Sequence, residues 1–271
     1  TREQARQTSG LLSMLAVAAT LLLLLRSRNL TRPWTCVGLG LALGLGWLAD
    51  LIFPLLLAPT VLLAAGSGLF KSRRSVFSVL VLGSALTLLA VLLADLSTAP
   101  VRRYPIPDRV LPAVVMDLWV APLLLSLWAT RNRPWTPGTG LAVSVSLAGL
   151  VASPFFLSYR ELRIMELLTA LVEQNSPVLD GFWSLEASLR QYLCWLNAFY
   201  WGGYLWLLPG ALLLALNRAT RRAAVTVGLG LAATLALLAW LLPPVYARYL
   251  APFLPMALIP GFLWAARWRS T

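Results

Sequence analysis

The chain contains no histidine, only two cysteines and ten acidic residues among 271. Without histidine there is no imidazole general base, no histidine-ligated haem and no histidine-containing zinc, iron or copper site. Cys36 and Cys194 are too few for a cysteine-only cluster. Both lie in apolar stretches typical of small buried side chains, and a disulfide between them stays open at this stage. We expect no metal site and no cofactor.

Charge of either sign is scarce as well. Charged residues make up 12% of the chain, against roughly 25% in soluble domains. Hydrophobic residues make up 59%, and the mean hydropathy is +0.77. Several apolar runs approach the roughly 20 residues that cross a bilayer as a helix. The composition therefore predicts an all-α protein, a polytopic transmembrane helical bundle that forms one integral membrane domain over residues 1–271.

The apolar runs predict about nine membrane helices. Residues 36–70 would form a helix of about 52 Å, too long for a hydrocarbon core of about 30 Å. We therefore divide this stretch near residues 50–54, where Pro54 and, further on, Pro59 favour a break or a half-helix. The predicted segments are 10–25, 36–50, 51–70, 76–94, 110–130, 141–159, 193–216, 223–243 and 249–266.

The net charge of +12 comes from 21 arginines and one lysine against ten acids. With the N-terminus outside, the inner segments contain thirteen basic residues and no acid, and the outer segments contain eight of the ten acids. The positive-inside rule favours this orientation. Anionic lipid headgroups are then the expected partners of the basic clusters, and nucleic acid is not. The arginine, alanine and leucine bias points to a bacterial inner membrane.

Two outer segments are long. Residues 95–109 are rich in proline, which predicts a stiff connection close to the membrane surface. Residues 160–190 begin with apolar side chains at helical spacing and charged side chains between them, which predicts an amphipathic helix in the outer interface.

Two acids lie within apolar runs. A carboxylate inside a membrane costs a few kcal/mol, so such a residue is a functional candidate by default. Asp50 falls near the outer turn between the second and third helices, and Asp117 lies about two turns inside the fifth. The structural alternatives are a helix cap for Asp50, and a salt bridge or interhelical hydrogen bond for Asp117.

Polar residues of the predicted outer side are candidates for substrate binding. The arginine guanidinium is a rigid fork suited to phosphate or diphosphate. For each arginine, the alternative is a side chain that snorkels to lipid headgroups. The candidates are Arg102, Arg103, Asp108, Arg160, Arg248 and Tyr249.

Residues 241–264, LLPPVYARYLAPFLPMALIPGFLW, resemble the last helices of bacterial polytopic glycosyltransferases of the GT-C type. Those enzymes often end with Arg-Tyr and a Leu/Pro-rich helix after an outer turn. The resemblance implies transfer of a sugar from a polyprenyl-phosphate donor at the outer face. It makes Asp50 or Asp117 the base that deprotonates an acceptor hydroxyl, and Arg248 or the pair Arg102 and Arg103 the group that holds the lipid phosphate.

Three functions remain open from the sequence. An enzyme that acts on a lipid-linked sugar explains the acids and arginines that share the outer half. A transporter or flippase would use the same acids as proton or substrate sites, beside helices broken by proline. A non-catalytic subunit of a larger membrane complex would need both acids satisfied structurally and an apolar face for its partner.

Overall fold

The computed structural model describes residues 2–49, 53–98, 111–158, 185–199 and 221–241. The described residues contain only helices and turns, and about 90% of them are helical. They form eight α-helices, with a 3-10 helix, Gly66–Phe70, after the third. The α-helices are α1 (Arg2–Arg26), α2 (Pro33–Ala49), α3 (Phe53–Ala65), α4 (Arg73–Thr98), α5 (Leu111–Ala129), α6 (Pro137–Ser158), α7 (Leu185–Phe199) and α8 (Arg221–Leu241).

Four stretches are long and apolar enough to cross a membrane, which indicates a membrane protein: Arg73–Leu92, Pro112–Ala129, Pro137–Pro154 and Arg221–Ala239. Three more helices have shorter apolar stretches, Leu11–Arg26, Pro33–Ala49 and Leu56–Ala65. The predicted ninth segment, 249–266, lies outside the described residues, and so does the first part of the predicted interfacial segment, 160–184.

Three features of the helices differ from those that the sequence predicts: the proline inside α3, the start of α7 and the end of α4. Pro54 is the second residue of α3, where its missing N–H costs little, but Pro59 lies inside α3 and does not end it. The seventh helix extends back at least to Leu185, so its predicted start at residue 193 was wrong. Its first turns overlap the predicted interfacial segment 160–190, and Glu186 and Arg190 form an exposed i,i+4 ion pair there at 3.5 Å. Helix α4 continues to Thr98, four residues into the predicted loop 95–109.

The chain forms two compact units. Unit one comprises residues 1–21, 49–64 and 171–271, and unit two comprises residues 22–48 and 65–170. Unit two contains α2, α4, α5 and α6, together with the end of α1 and the 3-10 helix.

Helix α6 is the most buried helix of unit two, and glycines of α2 allow its close approach. A Cβ added to Gly40 would lie 2.7 Å from the backbone oxygen of Ser144, and one added to Gly44 would lie 2.7 Å from Cβ of Val151. The hydroxyl of Ser144 donates to the carbonyl of Cys36 at 2.9 Å. The spacing Gly40-xxx-Gly44 is that of close helix contacts in membranes.

Side-chain caps fix the first turns of α4 and α6 and join them. The hydroxyl of Ser72 accepts from the N–H of Ser75 at the start of α4. Thr136 caps α6 in the same way, by accepting from the N–H of Thr139 at 3.3 Å, and Pro137 occupies the first helical position. The N–H of Gly138 then donates to the hydroxyl of Ser75 at 2.8 Å. The N-termini of α4 and α6 therefore lie at the same end of unit two.

The turn between α1 and α2 lies at that end as well. Arg28, Asn29 and Leu30 have φ between 50° and 61°, a left-handed conformation that costs L residues of order 1–3 kcal/mol each. Compensating contacts surround the turn: the N–H of Leu30 donates to the hydroxyl of Ser27, and the Leu30 side chain is fully buried. The carbonyl of Leu30 lies where a Cβ of Gly140 would be, so the turn packs directly on α6.

In unit one, α3 and α8 approach as closely. The hydroxyl of Thr234 donates to the carbonyl of Leu56 at 2.7 Å. Leu56 lies three residues before Pro59, and a neighbouring threonine commonly satisfies backbone groups near a membrane proline. A Cβ on Gly230 would overlap Thr60, so this contact also depends on a glycine.

Candidate functional site

Asp117 is the one predicted site residue that the described ranges include. It lies on α5, within the stretch Pro112–Ala129, which is long and apolar enough to cross a membrane. Along the helix axis it is about 9 Å from Leu111 and about 18 Å from Ala129, at 1.5 Å per residue. Helix α5 is about as long as the hydrocarbon core is thick, and Asp117 lies about a third of the way along it, so a membrane crossed by α5 would place the carboxylate within the core.

The carboxylate lies on the outward face of α5. Asp117 is exposed, whereas Val115 and Trp119, two residues to either side, are buried. Positions two apart on a helix point to nearly opposite sides, since each residue turns the helix by about 100°. Asp117 therefore points away from the side of α5 that packs in unit two.

No partner within the described residues neutralises this carboxylate. Neither the ion pairs nor the hydrogen bonds found there include Asp117. The structural alternative, a salt bridge or interhelical hydrogen bond, thus has no support in the described part of the chain. Isolated carboxylates at membrane depth almost always face a polar cavity, a substrate or another protein segment.

The inward face of the same turns holds an aromatic pair that sequence analysis missed. The rings of Trp47 and Trp119 meet edge to face, with centroids 6.0 Å apart and planes at 87°. The indole of Trp119 lies against the backbone of Gly149, where a Cβ would overlap its ring. These rings fix the rotation of α5, and so they set the direction in which Asp117 points. In the sequence, Gly149 of α6 could have indicated a close contact, but a glycine alone does not show which residue packs against it.

Basic residues are concentrated at one end of unit two. The hydrogen bonds and close contacts described above bring the α1–α2 turn, the start of α4 and the α5–α6 turn together at one end. We call this the cationic end; it carries eight basic residues, Arg26, Arg28, Arg32, Lys71, Arg73, Arg74, Arg131 and Arg133, and no acid. Asp117 lies toward the other end. These eight residues are the ones from which the sequence predicts the inner side, and the orientation of this end in the membrane stays a prediction of the positive-inside rule.

The other predicted site residues, Asp50, Arg102, Arg103, Asp108, Arg160, Arg248 and Tyr249, lie outside the described residues. Their roles stay predictions. The two cysteines are free, Cys36 buried and Cys194 exposed, so the expectation of a buried small side chain was wrong for Cys194. Within the described ranges no group of three His, Cys, Asp or Glu side chains is placed to hold a metal ion.

Comparison of the chain with protein-family models, with curated proteins and with solved structures finds no match.

Proposed function

We propose that this protein acts on a lipid-linked substrate, a polyprenyl-phosphate sugar or a similar lipid, at the outer membrane face, with Asp117 as a functional carboxylate. The observation that carries the proposal is the exposed, unpartnered carboxylate of Asp117 on a membrane-spanning helix. An acid at this depth costs about 2.5–3.5 kcal/mol on insertion scales. A residue that costs this much and has no structural partner in the described chain is best explained by a ligand.

In the proposed reaction the carboxylate acts as a general base. It takes the proton of an acceptor hydroxyl while the acceptor oxygen forms a bond to the anomeric carbon of the sugar. The bond between that carbon and the phosphate oxygen breaks, and the polyprenyl phosphate leaves with the bonding electrons. The resemblance to GT-C glycosyltransferases implies that Arg248, or Arg102 and Arg103, hold the phosphate, which guanidinium groups suit. Asp50 is the alternative base.

A non-catalytic membrane subunit is the second candidate, and the exposure of α5 favours it. Only 22% of the Pro112–Ala129 stretch is buried, and Leu124 and Trp128 are exposed along with Asp117. In this case a basic side chain of a partner helix would neutralise the carboxylate.

An activity assay with matched variants tests the proposal. The full chain is reconstituted in lipid vesicles with polyprenyl-phosphate donors that carry a radiolabelled hexose or pentose, and transfer of label to membrane acceptors is measured. Loss of a general base lowers the rate by about 10²- to 10⁴-fold, so we expect Asp117→Asn to abolish most transfer. Glu186→Gln is the matched control, because it removes an exposed acid on α7 and should leave transfer unchanged.

Each result separates the candidates. If Asp117→Asn keeps full transfer activity and Asp50→Asn loses it, then Asp50 is the catalytic base. If the wild type transfers no label from any donor, and Asp117→Asn releases a membrane protein that co-purifies with the wild type, the chain is a subunit. Unchanged activity and unchanged co-purification in Asp117→Asn would contradict any role for Asp117.

A further inference from the structure

We infer that the cationic end of unit two binds the headgroups of anionic phospholipids in the membrane leaflet that it faces. This surface lies on α5 and its neighbours at the end away from Asp117, and it is separate from the proposed substrate site.

The first observation is uncompensated charge. Eight basic residues come together there from three chain segments, and seven of them have exposed side chains, Arg74 being half-buried. Within the described residues none of the eight forms an ion pair with an acid. Self-repulsion among them is unfavourable unless an anionic surface offsets it.

The second observation is the kind of apolar side chain found beside the charges. Trp34, Phe70 and Trp128 are the three most exposed large hydrophobic side chains of the described residues, at 85%, 72% and 71%. Each lies at the end of its helix, next to basic residues. Aromatic rings beside arginines at the ends of membrane helices are typical of the headgroup layer.

The third observation is that the surface is rigid. The left-handed turn Arg28–Leu30 is held by the buried Leu30 side chain and by the Ser27 hydroxyl. The α5–α6 turn has a left-handed residue of its own, Asn132, between Arg131 and Arg133. Because both turns pack on the capped start of α6, binding a headgroup does not require a disordered loop to become ordered. This reduces the entropic cost of binding.

A lipid surface fits these observations better than a soluble partner or free phosphate. The exposed rings continue the apolar surface of the membrane helices, and a phosphate ion alone would leave them in water. An anionic lipid contacts both groups at once, with its headgroup at the arginines and its glycerol and acyl region at the rings.

Lipid titration of the purified full chain tests the inference. Binding of phosphatidylglycerol and of phosphatidylcholine is measured in mixed micelles, with wild type, Arg28→Gln/Arg32→Gln and the charge-conserving control Arg28→Lys/Arg32→Lys. Each basic side chain near an anionic surface contributes about a factor of five in affinity, so the glutamine variant should bind phosphatidylglycerol about 30-fold more weakly. The lysine variant should stay close to wild type, and 0.5 M salt should weaken binding of both.

Equal affinity of the wild type for the two lipids would overturn the inference. So would a glutamine variant that binds phosphatidylglycerol as tightly as the lysine variant. Full displacement of the lipid by an equal concentration of inorganic phosphate would show a phosphate site rather than a lipid surface. An unchanged unfolding transition in the glutamine variant checks that the turn remains folded.

Discussion

Helices α5 and α6 are neighbours of similar length and hydropathy in unit two, yet they hold their polar side chains in opposite ways. The spanning stretch of α6 is 67% buried and that of α5 only 22%. The polar side chains of α6 are all serines and threonines, and two of them contact neighbouring helices: Ser144 donates to the Cys36 carbonyl of α2, and the hydroxyl of Thr139 lies 3.5 Å from that of Ser78 on α4. In the first half of α5, by contrast, the polar residue is Asp117, a carboxylate that faces outward.

This difference distinguishes polar side chains that stabilise the fold from a polar side chain that serves function. A small hydroxyl in a packed membrane helix replaces a lost water contact with an interhelical bond, and it allows two backbones to approach. A carboxylate on an open face makes no such bond and costs stability. We therefore assign the hydroxyls of α6 to folding and Asp117 to function, and the predictions below compare the two.

The largest effect on stability should come from Gly40→Ala/Gly44→Ala. Each new Cβ would meet α6 at 2.7 Å, and overpacking of this kind typically costs about 1–3 kcal/mol per site. We expect the free energy of unfolding in micelles to fall by roughly the sum. Gly83→Ala on α4 is the control: its Cβ meets nothing within 4 Å, so it should be neutral or stabilising by up to about 1 kcal/mol. Equal losses in both proteins would show that α2 and α6 do not pack closely.

In unit one the close approach of two helices can be tested with a single glycine substitution, and its control lies on the same helix. Gly230→Ala on α8 places a methyl group against Thr60, and we expect a loss of about 1–3 kcal/mol. Gly228→Ala lies two residues away with open space around its Cβ, and should cost nothing. The thermal unfolding transitions of the two variants are measured side by side. If the two transitions coincide, the α3–α8 contact is contradicted.

The interhelical hydroxyls should contribute less. Ser144→Ala removes the buried bond to the Cys36 carbonyl, and Thr234→Val removes the bond to the Leu56 carbonyl with little change in volume. Interhelical hydrogen bonds in membranes average about 0.6 kcal/mol and reach about 1.7, so we expect losses in that range. Thr87→Val is a control, since the Thr87 hydroxyl bonds within its own helix and should change stability little. A loss there as large as at Thr234 would argue against an interhelical origin.

Much of this arrangement follows from local patterns in the sequence. Apolar runs predicted the helices, and α2 and α3 are separate elements on either side of the predicted break near residue 50. The spacing Gly40-xxx-Gly44 is also visible in the sequence, and the structure places both glycines in close contact with α6, as small residues four apart allow in membrane helices.

The rest depends on information that a local pattern does not contain. Pro59 lies inside α3 without ending it, although proline removes one backbone bond, and a tertiary contact, the Thr234 bond to the Leu56 carbonyl, lies in the preceding turn. Helix α7 includes the charged turn 186–190, where an exposed i,i+4 ion pair forms, and the apolar run alone does not predict this turn as part of the helix. The outward direction of Asp117 follows from the packing of Trp119 on Gly149, a contact between residues 30 positions apart, and an apolar run predicts no such pairing.

The most direct measurement is the unfolding free energy of Asp117→Asn beside that of Ser144→Ala, in the same lipid. Since Asp117 has no partner within the described residues, we expect its replacement to leave stability unchanged or to raise it, while Ser144→Ala lowers it by about 1 kcal/mol. A loss in Asp117→Asn equal to or greater than that in Ser144→Ala would contradict a functional role and make the carboxylate part of the fold.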